Sequence, residues 1–263
     1  MSVISSTKTK VLGVGLEVSR IAGPSDGPTL VFLHEGLGSV ALWRDWPQRL
    51  CQQLALPGLV YSRQGYGQSD ARPDVRSNGR LQPDYMHREA RDVLPALLHQ
   101  LGIERPVLLG HSDGGTIALL HAAHHPVSAC IVMAPHVIVE EVSVQSIEAA
   151  RGAFENGTLR QRLAPFHADV DCAFWQWNDI WLSPAFRSYD IRLEISAIQA
   201  PLLAIQGEDD PYGTMAQIDD IAVAVPHAQR LKLPQCGHSP HRDQPEAVTR
   251  AIEAFLISHA QTR

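Results

Sequence analysis

The stretch Val107–Leu120, VLLGHSDGGTIALL, sets the tightest limit on what this chain can fold into. An apolar run of strand length stops at Gly110-His111-Ser112-Asp113-Gly114 and passes at once into apolar residues at helical spacing. A strand can hand over to a helix in so few residues only through a sharp turn. Glycines two positions to either side of Ser112 remove the side chains that would strike the flanking strand and helix. The uninterrupted apolar run before the turn is what a parallel strand covered on both faces requires. An N-capping serine in a glycine loop would use the same residue types, so the rest of the chain must decide between a cap and a reactive hydroxyl.

The surrounding sequence repeats the strand-then-helix rhythm. KVLGVGLEVSRIAG reads as two edge strands or a hairpin, and TLVFLHEG (Thr29–Gly36) as a buried strand running into a glycine-containing loop. VALWRDWPQRLCQQL has helical spacing, with Pro47 expected to perturb it early. GLVYSRQGYGQSD reads as a strand and a glycine-rich turn. The helix YMHREARDVLPALLHQLG is expected to stop at Gly102. HHPVSACIVMAPH supplies another strand. The rhythm then breaks: residues 137–195 carry helical patterns and a tryptophan cluster but no long apolar strand. It resumes with APLLAIQGEDD, a helix from about Thr214, AQRLKLPQCGH and the helix PEAVTRAIEAFLISH. This pattern predicts an α/β core, a mostly parallel sheet covered by helices on both faces, formed by residues 1–136 and 196–263. A helical unit, 137–195, is inserted after the sixth strand.

Composition narrows the function classes. A chain of 263 residues with 44% hydrophobic content supports one ordinary core. The net charge of −6 and the lack of a basic patch argue against a nucleic-acid partner. Cys51, Cys130, Cys172 and Cys236 are too scattered for a metal site and read as reduced thiols of a cytoplasmic protein. The first ten residues lack the apolar run of a leader, and no segment nears 18 continuous apolar residues, so no membrane partner is expected.

A serine hydroxyl needs a base, and the base a carboxylate. After the helical unit, one strand ends in Glu208-Asp209-Asp210 and the next in Gly237-His238. Both ends fall on the C-terminal edge of a parallel sheet, beside the Ser112 turn. Serine, acid and histidine in that order, each at a strand end, point to Ser112 as nucleophile and His238 as base. The acid stays open among the three acidic residues.

With these motifs the chain resembles the α/β-hydrolase superfamily over nearly its whole length, in particular the esterase-like members with a helical cap between strands six and seven. The resemblance implies Asp210, three residues after Gly207, as the acid, with Asp209 second. It implies an oxyanion hole from the amide of Asp113 and an amide of the loop HEGLGS, from Gly36 or Leu37. The family usually carries His-Gly where this chain has His34-Glu35. The family's Asp-x-x-Gly-x-Gly-x-Ser begins here with Ser62 and reads as structural. His111 is expected to pack, and His241 to line the pocket or pack. Glu35, Phe154, Trp175, Trp177 and Trp181 are the other candidate pocket residues.

The resulting expectation is a cofactor-free and metal-free serine hydrolase that cleaves a small or medium, apolar or aromatic carboxylic ester through an acyl-enzyme. Hydrolysis of a carbon–carbon bond in a ring-cleavage diketone is the alternative. It would need a cation at the far end of the pocket, from Arg151, Arg160, Arg162 or Arg187. Lactone or amide hydrolysis, acyl transfer and a non-catalytic small-ligand receptor complete the field. The partner is a small molecule, and the chain is either a monomer or a homodimer.

Overall fold

The computed structural model describes residues 6–24 and 27–260; the first five, half of the stretch read above for a leader, lie outside the described residues. Eight strands form one sheet in the order β1-β2-β4-β3-β5-β6-β7-β8. The hairpin β1 (Thr7–Val11) and β2 (Val14–Ile21) joins antiparallel at one edge. Parallel pairing runs through β4 (Gly58–Ser62), β3 (Leu30–Leu33), β5 (Val107–His111), β6 (Ala129–Met133), β7 (Leu202–Gly207) and β8 (Gln229–Leu233).

Period-two alternation explains why these strands read as solid apolar runs. In β3, Leu30 and Phe32 enter one core layer and Val31 and Leu33 the other; in β5, Val107 and Leu109 oppose Leu108. Both faces are covered, so neither set can be polar. The strand order reverses between β3 and β5, because β4 follows β3 on one side and β5 takes the other. Such a reversal leaves a crevice at the carboxyl ends of the strands. The loops after β3 and β5 flank it.

Two helices differ from the sequence expectation. Pro47 does not perturb its helix but stands in the first turn of Trp46–Leu54, where its missing N–H costs nothing. The helix from Tyr85 is not uniform: α-helical Tyr85–Arg88 widens to a π-turn at Glu89–Val93 before Leu94–Gln100. Pro95 has no N–H for the carbonyl four residues back, and the wider turn absorbs that loss. Gly102 ends the run at φ +71°.

Between β6 and β7 the chain forms helices Glu141–Glu155, Leu159–Leu163, Val170–Trp181 and Arg192–Ile195. An isolated bridge, Ile138 to Asp190, brings the two ends of this segment together. No helix among the described residues is long and apolar enough to cross a membrane.

Candidate active site

The turn after β5 holds Ser112 at φ 54°, ψ −120°, a conformation costly for any residue with a Cβ and maintained only by firm surroundings. The surroundings are backbone. A Cβ on Gly110 would strike the carbonyl of Gly114, and one on Gly114 the carbonyl of Leu33. The helix Asp113–His124 begins at once, so the amide of Asp113 has no carbonyl one turn back to bond.

Asp210 and His238 arrive from the ends of β7 and β8. His238 Nε2 lies 2.9 Å from Ser112 Oγ, and His238 Nδ1 lies 2.9 and 2.8 Å from the two oxygens of Asp210. The carboxylate only accepts, so Nδ1 carries the proton and Nε2 offers its lone pair to the Ser112 hydroxyl. Gln206 Nε2 donates to Asp210 Oδ2 at 2.7 Å and the Tyr212 amide to Oδ1 at 2.8 Å. Burial works to raise the Asp210 carboxyl, but the His238 contact and the Tyr212 amide outweigh it and hold the group below its ordinary range. Glu208 and Asp209 are exposed and do not reach His238.

The loop after β3 faces this array. Among the described residues, the amides of Gly36 and Leu37 are given to no hydrogen bond, while Gly38 N–H donates to Glu35 O at 3.0 Å. A Cβ on Gly36 would run into the Trp177 indole, so a side chain there would require the ring or the loop to shift. His34 is neutral, driven well below its usual range by burial and then by the Arg63 charge. Its Nε2 accepts from the Arg63 amide at 3.0 Å, and its Nδ1 donates to Glu35 O at 2.7 Å.

Glu35, the departure from the family pattern, ties three loops together. Its carboxylate lies 3.1 Å from Arg242 and 3.4 Å from His111 Nδ1. His111 Nε2 in turn donates to the carbonyl of His238 at 2.6 Å. Burial works to raise Glu35, yet His111 and then Arg242 hold it well below the usual carboxylate range. His241 is buried against Trp43, Trp46 and His111, with ring centroids 4.8, 5.2 and 4.9 Å apart, so it packs behind the array.

The tryptophans divide. Trp177 lies on Gly36. Trp181 Nε1 donates to Tyr85 Oη at 3.1 Å and Asp113 Oδ1 at 3.3 Å, with its ring edge-on to His136. Trp175 and Phe154 pack with Phe174 inside the helical segment, where Phe154 and Phe174 stack at 3.7 Å. Arg151, Arg160 and Arg187 are each spent on an acidic partner, Asp179, Asp171 and Glu141 respectively.

Four residues around the array escape sequence reasoning. Arg63 donates to His34 O at 2.6 Å and Glu35 O at 3.1 Å and lies 3.6 Å from Asp113. Tyr85 donates to Asp113 Oδ2 at 2.7 Å. Tyr212 packs 4.8 Å from the His238 ring. His136, after β6, is buried between Trp181 and His238 and pushed down to about 3 by burial and then by His238. The position of Arg63, His136 and Tyr212 just past strand ends was their one hint; Tyr85 left no local signal.

Comparison with known proteins gives the family and the fold. A profile of the alpha/beta hydrolase family matches residues 30–251. The RutD protein of Pseudomonas syringae pv. syringae, which bears the name of a carbamate hydrolase, is 30% identical over 259 residues, covering 88% of this chain and 95% of that protein. The serine hydrolase BPHL of Mus musculus is 24% identical over 261 residues, 96% of this chain and 87% of that protein. Among solved structures, the enol-lactonase of Burkholderia xenovorans LB400 superposes with a TM-score of 0.72 at 20% identity, over 95% of this chain and all (100%) of that one.

Proposed function

The chain belongs to the alpha/beta hydrolase family, and from that premise we propose that it is a serine hydrolase acting on a small or medium carboxylic ester with an apolar or aromatic acyl group. The observation that carries this reading is the unbroken hydrogen-bonded line from Ser112 through His238 to Asp210. His238 Nε2 takes the Ser112 proton as Oγ attacks the ester carbonyl, and Asp210 stabilises the imidazolium that forms. The amides of Asp113 and of Gly36 or Leu37 receive the developing oxyanion. His238 then protonates the departing alkoxide, and a water molecule repeats the path on the acyl-enzyme to release the acid. The helical segment 137–195 serves as the lid, with Trp177 and Trp181 forming its underside.

Hydrolysis of p-nitrophenyl esters from acetyl to octanoyl, with benzoyl, tests the proposal. Turnover is expected in the wild type and a loss of about 10^4-fold or more in Ser112→Ala and His238→Ala. A wild type that releases no p-nitrophenolate, even as a stoichiometric burst, would sink the ester reading. A second reading, cleavage of a carbamate, is favoured by the likeness to the RutD protein over 88% of the chain. It uses the same attack on a carbonyl, so an aryl carbamate belongs in the same panel.

A further inference from the structure

Three donors hold the peptide group that joins Glu35 to Gly36. Its carbonyl oxygen accepts from His34 Nδ1 at 2.7 Å, from the Gly38 amide at 3.0 Å and from Arg63 Nη2 at 3.1 Å. A carbonyl oxygen offers two lone pairs, so this one is fully engaged. The amide of the same peptide group, Gly36 N–H, meets no hydrogen-bond partner among the described residues. In a trans peptide the N–H points away from the C=O, so fixing the oxygen on the Arg63 side fixes the hydrogen on the opposite one. The next peptide group, between Gly36 and Leu37, has no such anchor. Neither its carbonyl nor its amide meets a partner among the described residues. Of the two amides that could face a substrate oxygen, only Gly36 N–H is held in advance, and a donor aimed in advance is what stabilises developing charge.

Arg63 stands directly after β4 and is buried, at 3% exposure. Its amide donates to His34 Nε2 at 3.0 Å and its Nη1 to His34 O at 2.6 Å. Besides reaching Glu35 O, its Nη2 lies 3.6 Å from Asp113 Oδ2. The backbone amide of Asp113 is the donor proposed for the other side of the oxyanion. Burial works against the guanidinium charge, but Tyr66, Asp113 and Glu89 outweigh it and keep the group protonated. A cation that bonds to a carbonyl draws electron density along the peptide and strengthens its N–H as a donor.

We infer that Arg63 is a positioning residue of the hydrolysis: it fixes and polarises the Glu35–Gly36 peptide, makes Gly36 N–H the loop's oxyanion donor in place of Leu37 N–H, and ties that donor to the Asp113 turn. This role rests on the proposed ester reaction, in which Ser112 Oγ bonds to the carbonyl carbon, its proton passes to His238 and the carbonyl π pair moves onto oxygen.

Arg63→Lys keeps the charge, but one ammonium cannot span both carbonyls and Asp113 as the planar fork does. The test compares p-nitrophenyl ester turnover with inhibition by benzyl trifluoromethyl ketone and by benzyl methyl ketone, all on the full chain. Ser112 adds to the fluorinated ketone to give a tetrahedral oxyanion, whereas the plain ketone only occupies the pocket. Arg63→Lys is expected to lower kcat and weaken the fluorinated ketone in parallel, each by about 10- to 100-fold. KM and inhibition by the plain ketone should stay within about 3-fold of wild type. The pH at which kcat/KM falls in acid should not move, because the Ser112, His238 and Asp210 line is untouched. A kcat within about 3-fold of wild type overturns the role of Arg63. So does a loss of kcat that the fluorinated ketone does not share, a loss that falls equally on the plain ketone, or a displaced acid limb. An inactive wild type that forms no adduct with the fluorinated ketone overturns the ester reading itself, and the role of Arg63 with it. Should Arg63→Lys fail to fold, Arg63→Met combined with Asp113→Asn takes its place. That pair leaves no buried charge alone and keeps an acceptor for Tyr85 and Trp181, and the same parallel losses are required of it.

Discussion

Asp210 is anchored by three partners, Gln206, the Tyr212 amide and His238 Nδ1, which lies against both carboxylate oxygens. Replacing it with Asn keeps the shape but offers His238 Nδ1 an N–H as readily as an oxygen, which permits the wrong tautomer. Asp210→Asn is expected to lower kcat by about 10^3- to 10^4-fold with little change in KM, read from steady-state ester hydrolysis. At Gly36 the constraint is space: Gly36→Ala drives a methyl group into the Trp177 indole. That variant should fold with its Tm lowered by a few degrees and lose kcat by about 10-fold or more as the loop amide shifts. A kcat equal to wild type would show that this loop donates nothing to the reaction. Ser112 and His238 could be named from the sequence because a glycine-marked turn or a Gly-His pair follows a strand, where chain order and sheet polarity fix the place; Asp210 was separated from Glu208 and Asp209 only by the family resemblance. Arg63, Tyr85 and His136 could not, since their roles come from partners tens of residues away, even where, as for Arg63, the residue directly follows a strand.

At the scale of elements, three loops meet at one carboxylate. Glu35 joins the β3 loop to Arg242 beyond β8 and to His111 at the end of β5. Because its folded pKa lies below the ordinary carboxylate value, its stabilising contribution is fully present above that value, ~4.3. It is lost as pH falls through the depressed folded pKa. Glu35→Gln should therefore cost about 2 kcal/mol at neutral pH, with the difference from wild type closing in acid, as read from denaturant unfolding at several pH values. A pH-independent deficit would mean that packing, not charge, sets the contribution of Glu35. Strands were the most legible elements, their apolar runs being forced by two-sided burial. The π-turn at Glu89–Val93 was not, because one proline does not reveal whether a helix kinks, stops or widens around it.

The whole molecule is held together across the crevice by backbone as well as side chains. His167 accepts from the Gly67 amide at 3.0 Å and donates to Leu37 O at 3.1 Å, and Ala168 N–H donates to Gly67 O at 2.8 Å. These bonds fasten the helical segment to the loops after β3 and β4. The segment is expected to unfold together with the sheet, so that tryptophan fluorescence and far-UV circular dichroism trace one denaturant transition. A separate early fluorescence change would show the segment to be an independent unit. The sequence marked residues 137–195 only as a stretch of helical pattern without a long apolar strand. It held no trace of this fastening, which depends on one neutral histidine meeting a donor and an acceptor from two distant loops.

The contact between Trp177 and Gly36 has a practical side. An indole changes its emission with the polarity and charge of its surroundings, and this one rests on the loop that, in the proposed reaction, receives the developing negative charge. The protein thus carries its own optical probe beside the proposed reaction centre. The difference in emission between wild type and Trp177→Phe would isolate that signal from the other tryptophans, so that acylation and release are watched in real time on unlabelled substrates that have no chromophore.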